Sequence, residues 1–293
     1  MSAVSPTAAP RAEPGRMARM GYWLRGDPRA ALSLAFLLLL VALALGARWI
    51  APYSPIAQDI ANSLAPMSPQ HWLGTDDLGR DTFSRLVHGA PVTLYASLLA
   101  VAVATVLGVP TGLLAGYLGG WFDEVVGRII DTLLSFPAII LAVAVTGALG
   151  IGLTNAMIAV GIVFSPQLAR IVRMRTLVVK QELYVDAARC FGTPMPTILW
   201  RHVLPNTLQP VIVQITLLLA GALLAEASLS FLGLGVQPPQ ASWGAMLARA
   251  FQNIEVTPEQ MYAPGFAILL TALAFNTLGE SLRVLLDPTR KQL

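Results

Sequence analysis

The residues of this chain that could carry chemistry are few and far apart. No serine or threonine stands in a nucleophile–base arrangement, no two carboxylates share a site, and no glycine-rich phosphate loop precedes a Lys-Ser/Thr pair. His71 and His88 are separated from His202 by several apolar stretches, which the topology below places on opposite sides of a membrane. The single cysteine, Cys190, excludes an internal disulfide and a cysteine-based metal cluster, and beside Arg189 it reads as a filler. The chain is therefore expected to catalyse nothing and to hold no metal and no cofactor of its own. A net charge of +3 gives no reason to expect a nucleic-acid partner.

What remains are ionisable groups in apolar surroundings, where a charge is functional by default. Asp131, Glu226 and Glu280 are the acids of the apolar runs. Asp131 lies one turn from Arg128, and Glu280 one turn from Arg283, so each reads as half of a local pair. Glu226 has only Ser230 as a polar neighbour at helical spacing, which makes it a candidate for a pathway-facing or inter-subunit position.

A second constellation is the strip Tyr184–Asn206, "YVDAARCFGTPMPTILWRHVLPN". Glu182, Asp186 and Arg189 share one helical face, and Leu183, Ala187 and Phe191 form an apolar stripe. Gly192 is placed to end this helix in a left-handed conformation. Thr193 and Pro194 start a second short helix, carrying Ile198, Leu199, Trp200 and Val203, which is expected to stop near Leu204 because Pro205 disfavours helix before it. Two short helices hinged at Gly192, with charges on one face, suit a protein partner better than a lipid surface.

The elements that position these groups follow from composition. Of 293 residues, 55% are hydrophobic and 12% charged, against about 25% charged in soluble domains. Six runs approach the ~20 apolar residues a membrane span needs: 30–47, 92–118, 129–150, 155–172, 210–231 and 263–286. The first is too long for the apolar part of a signal peptide and reads as an uncleaved span. With the N-terminus inside, the inner segments hold fifteen Lys and Arg and the outer segments four, so both termini are expected in the cytoplasm. The expected division is a tail (1–29), a first span (30–47), an extracytoplasmic segment (48–91) and a core of five spans (92–286). That core contains a cytoplasmic loop (180–206) and an extracytoplasmic loop (233–262), and a short cytoplasmic tail (287–293) follows it. Trp72, Trp121 and Trp243 fall at expected interfaces with membrane lipid. Gly108, Gly112 and Gly116 leave one helical face bare for close helix packing, within this bundle or between subunits. Pro110, the pair Phe136-Pro137 and the pair Ser165-Pro166 interrupt backbone hydrogen bonding inside the spans, as in a bundle that moves or lines a pathway.

The strip resembles the loop of bacterial ABC importer permeases that carries Glu-Ala-Ala, a glycine and a terminal Leu-Pro. The matching positions are Asp186, Ala187, Ala188, Gly192, Leu204 and Pro205, with aspartate where glutamate is usual. "LGTDDLGRDTFSRLVHGA", "GYLGGWFDEVVGRIID", "EASLSFLGLGVQPPQASWGAML" and "LAFNTLGESLRVLLDP" are similar to segments of the dipeptide/oligopeptide/nickel permeases, C-type. Pro91 and Val284 depart from the residues usual in that family. The resemblance implies an all-α integral membrane protein of six transmembrane helices with the type I ABC importer permease fold. It implies a paralogous B-type permease as partner, and two ABC ATPase subunits that carry ATP and magnesium, one of them docked on the loop. An extracytoplasmic solute-binding protein would deliver di- or oligopeptides or related solutes. The rival class is a proton-coupled secondary transporter using Glu226, which leaves the strip unexplained; a membrane anchor is a third reading.

Overall fold

A computed structural model describes residues 26–286. The tails expected at 1–29 and 287–293 lie outside the described residues except for 26–29. Five helices are long and apolar enough to cross a membrane, six when one sharply bent pair counts as a single span. Helix α1 (Pro28–Leu45) starts on an Asp27 cap whose carboxylate accepts from the backbone of Arg29 and Ala30. Helix α2 (Thr82–Leu118) is capped by Asp81, which accepts from Ser84 N at 2.7 Å. Its 37 residues reach about 55 Å at 1.5 Å per residue, well beyond the ~30 Å hydrocarbon layer. The span expected from residue 92 is therefore extended outward by nearly three turns, because Pro91 sits inside the helix without ending it.

Helices α3 (Gly120–Leu134) and α4 (Ala138–Leu149) meet at 98° across Phe136-Pro137. The continuous span expected at 129–150 is thus an elbow. Proline at 137 donates no backbone hydrogen bond, and the residue before it is pushed out of the helical region. Helix α5 (Leu153–Val179) passes through Ser165-Pro166 unbroken; the Ser165 hydroxyl donates to Ile162 O at 2.8 Å there. Helix α6 (Leu183–Cys190) forms the first half of the inner strip. Met195–Ile198, a π turn at Leu199–Val203 and Leu204–Phe231 then run on without a break as α7 (Met195–Phe231). Helix α8 (Trp243–Gln252) lies in the outer loop, and α9 (Tyr262–Leu286) closes the bundle.

Helices α2 and α5 form the most extensive pair, and the three glycines explain why. A methyl carbon at Gly108 would lie 2.7 Å from Ser165 O, and one at Gly116 2.7 Å from Arg173 O; at Gly112 it would run into Ala169 O. The bare face is used inside this chain, where the two backbones touch. Helix α7 packs on α9, α5 and α2, and α1 leans on α9. One apolar core joins α2, α5, α7 and the inner strip through Leu168, Val172, Val185, Ile198 and Val203. A second joins α1, α2, α7, α8 and α9 at the outer end through Leu40, Leu223, Trp243 and Ile268.

Candidate functional site

The inner strip is a helix, a tight turn and a helix, with its inward face fastened and its outward face bare. Val185 and Ala188 of α6 are buried against Ile198, Leu199 and Val203. On the opposite side Leu183 is 85% exposed and Phe191 88% exposed, with Ala187 between them in the stripe also exposed; Trp200, on the following helix, is exposed too. Large apolar side chains this open to water are costly unless something covers them.

Gly192 has φ +71° and stands just past the end of α6. Its N–H donates to Arg189 O at 2.9 Å, and Thr193 N–H donates to Ala188 O at 3.1 Å. These two bonds make the Schellman closure, which satisfies the last carbonyls of the helix. The following helix begins at Met195, with Pro194 in the cap position and no side-chain cap bond. The start expected at Thr193-Pro194 is thus shifted by one residue.

The stop expected near Leu204 does not occur. Leu204 N–H donates to Leu199 O, one residue further back than in an α-helix, so the chain makes a widened π turn immediately before Pro205. The wider turn accommodates the proline ring and its missing donor, and the helix continues through Pro205 to Phe231. The strip is consequently the root of a long transmembrane helix, and any force on Trp200 acts directly on α7.

Charged groups fix the strip to the rest of the inner surface. Asp186 accepts from Arg189 Nη1 at 3.1 Å, and Arg189 Nε donates to the Tyr117 hydroxyl at 3.3 Å, at the end of α2. The Arg189 guanidinium also lies 5.0 Å from the Tyr117 ring centroid. The hydrogen bond to Tyr117, then Tyr117 and Asp186 as charge partners, hold Arg189 above its ordinary range. Lys180 Nζ donates to Gly116 O at 2.8 Å. Glu182 forms the N-cap residue of α6 without a side-chain cap bond, and its side chain is exposed. Asp186 and Arg189 are therefore brought together as their spacing indicated, while Glu182 stays apart from them. Tyr117 and Lys180 escaped the sequence reading; nothing in local periodicity relates position 117 to position 189.

The other candidate residues fall elsewhere. Phe136 and Pro137 form the exposed elbow between α3 and α4. Ser165 and Pro166 lie in the α2–α5 seam beneath Gly108. Glu226 is 0% exposed at the outer end of α7, where Ser230 Oγ donates to it at 2.8 Å and accepts from Val236 N at 3.3 Å. It is enclosed by its own chain rather than turned to an open pathway. These three places share no hydrogen bond among the described residues. Asp131 pairs with Arg170 of α5, across the bundle, and Arg128 pairs instead with Glu124 at 3.3 Å. Asp123 takes Arg173 in the same manner, and the two pairs hold the α3 limb of the elbow against α5. Glu280 and Arg283 form no ion pair among the described residues but line one cavity of about 460 Å³ with Arg175 and Gln214. Trp72 and Trp121 are exposed as interface anchors would be, whereas Trp243 is 2% exposed and donates Nε1–H to Leu86 O at 2.9 Å. Trp243 is a core residue because Gly89 on α2 leaves space for its ring.

Residues 108–292 match the family described as the inner membrane component of binding-protein-dependent transport systems, and residues 19–66 match the N-terminal transmembrane domain of oligopeptide transport permease C. The chain is 45% identical over 273 residues to the glutathione transport system permease protein GsiD of Escherichia coli O6:K15:H31, covering 92% of this chain and 90% of that one. The same figures hold for GsiD of Shigella boydii serotype 4. Among solved structures, the inward-facing MetNI methionine ABC transporter aligns with a TM-score of 0.57 at 20% identity, over 69% of this chain and 96% of the matched one. That likeness is one of fold. Five or six apolar crossings among the described residues, an inner strip rooted in a crossing helix and a match spanning the whole core agree: the chain belongs to the inner membrane components of binding-protein-dependent transport systems, as a permease of the oligopeptide permease C kind.

Proposed function

We propose that this permease admits di- or oligopeptides, glutathione-like tripeptides among them, and that α6 and the start of α7 receive one of two ATPase subunits. The observation that carries the docking surface is the pair Leu183 and Phe191, open to water on a helix whose other face is locked into the core. A groove on an ATPase subunit would cover them, with Asp186 and Arg189 at the rim. The peptide class is supported by the relatives at 45% identity, which are named for glutathione. A paralogous B-type permease would complete the pathway, and an extracytoplasmic binding protein would supply the solute.

In this mechanism ATP and magnesium act on the partner subunits, and closure of the ATPase pair displaces α6. The displacement passes through the Gly192 turn and the π turn into α7, and through Arg189 and Lys180 into the inner end of α2. The two long helices tilt together because both pack on α5. The elbow at Phe136-Pro137 absorbs the change in α3 and α4.

The decisive experiment is uptake by the reconstituted complex, with Gly192→Val beside the unaltered protein. A valine at φ +71° strains the turn by about 1–2 kcal/mol and is expected to leave the permease in the membrane while uncoupling ATP hydrolysis from transport. Uptake that persists without any ATPase subunit and follows a proton gradient would sink the proposal.

A further inference from the structure

Three arginines converge on one cavity at the outer end of the bundle. It encloses about 240 Å³ between the start of α2, the end of α7, loop 232–242 and α8, and its lining includes Arg80, Arg85, Arg249, Gln237, Gln240 and Gln252. Among the described residues no carboxylate lines it. Two acids stand behind the arginines: Arg80 Nη2 lies 2.6 Å and Arg85 Nε 3.4 Å from the same Asp76 Oδ2, and Arg249 Nη1 lies 2.9 Å from Asp77 Oδ2. The nearby Asp81 is engaged otherwise, with His71 Nδ1 at 2.9 Å and Ser84 N–H at 2.7 Å. Three guanidinium groups thus share two carboxylates, and the side chains of Arg80 and Arg85 are both only 2% exposed.

Buried cations are retained where they are paired, and here the surplus charge faces the cavity. Arg249 is the most open of the three, and its planar fork keeps donors for a second oxygen after Asp77 is satisfied. Gln240 and Gln252 add amide donors and acceptors to the lining, while Gln237 Nε2 already donates to Gly233 O and Gly235 O. We propose that this cavity is an anion site that takes a carboxylate of the transported solute. Pockets that enclose a whole small molecule run to about 300–1,000 Å³, so this one holds an end of the solute rather than all of it. The inference rests on the peptide reading above, which supplies a solute ending in a carboxylate.

The test uses the whole transporter complex in lipid nanodiscs, without nucleotide and without the binding protein. Equilibrium binding is measured for dialanine and trialanine, each as the free acid and as the carboxyl amide. The acid is expected to bind about tenfold or more tightly than the amide, the effect of one charged hydrogen bond. Arg249→Gln should bring the ratio close to one, and Arg249→Lys should retain part of it. Equal binding of acid and amide, binding of neither, or a ratio unchanged in Arg249→Gln overturns the site. If Arg249→Gln instead weakens capture of ligand-free binding protein and leaves the ratio intact, the carboxylate belongs to that protein's surface and the proposal is equally overturned. ATP-driven peptide uptake by the unaltered complex is measured in parallel. Normal uptake with a ratio of one removes the site alone, whereas absence of uptake of either peptide removes the peptide reading.

Discussion

Arg189 of the inner strip donates to the hydroxyl of Tyr117, 72 positions earlier at the end of α2, at 3.3 Å. This contact joins the proposed ATPase-facing helix to a crossing helix that contributes nothing to the strip itself. Tyr117→Phe keeps the ring under the guanidinium and removes only the hydrogen bond. Stability should change by less than about 1 kcal/mol, since the pair is half in water. The number of solute molecules moved per ATP hydrolysed should fall, and measuring transport and hydrolysis on the same proteoliposomes checks this.

Phe191→Ser should leave folding unaffected, because the ring touches water rather than core. If the ring anchors an ATPase groove, its loss should weaken capture of that subunit by about tenfold to a hundredfold, the range of a central interface anchor. Val185→Ser is the opposite control. It damages the buried side of α6 and should lower the thermal stability of the permease even with no ATPase subunit present.

The α2–α5 seam predicts a contrast between glycines. Gly112→Val places a branched side chain where Ala169 O and Val172 already sit, and overpacking of this kind costs about 1–3 kcal/mol. Gly127→Ala meets nothing within 4 Å and should be neutral or slightly stabilising through helix propensity. Thermal denaturation in detergent distinguishes the two.

Trp243→Phe replaces the buried indole with a smaller phenyl ring and loses the Nε1–H bond to Leu86 O. The half-buried Leu86 carbonyl loses this donor and the smaller ring leaves a gap, so a loss of about 1–3 kcal/mol is expected. Hydrogen exchange should show the loosening in α8 and the first turns of α2, with the inner strip unchanged.

Asp27 caps α1 and also accepts from the Ser281 hydroxyl of α9 at 2.6 Å. The Ser281 hydrogen bond, then the Ala30 N–H, hold its carboxyl below the ordinary value of 3.8. A folded-state value below the unfolded one means the clip contributes fully above that ordinary value and is lost as pH falls through the lowered one. The difference in melting temperature between the protein and Ser281→Ala should therefore be constant at neutral pH and shrink only in strong acid. A difference that grew with acidification would contradict the assignment.

Much of this was legible in the sequence because a bilayer punishes exceptions. Apolar run length gave the long helices, except at 129–150, where Phe136-Pro137 turns the run into an elbow. Gly192 announced its turn, since a left-handed residue closing a helix is almost always glycine, and Asp186 and Arg189 met at their helical spacing. Local rules failed where a neighbouring element supplied what they assumed missing. Pro205 reads locally as a stop, but a π turn absorbs it. Arg128 is the local partner for Asp131, but Arg170 on α5 reaches it. Trp243 suits a lipid interface, but the gap at Gly89 takes its ring into the core. The outer arginine cluster unites positions 80, 85 and 249, whose proximity no periodicity encodes. Sequence by itself determined which segments must leave water and which residues end or bend a helix, because those costs are local. Tertiary structure alone decided which charges meet and which apolar faces stay bare, because both depend on what another helix brings alongside.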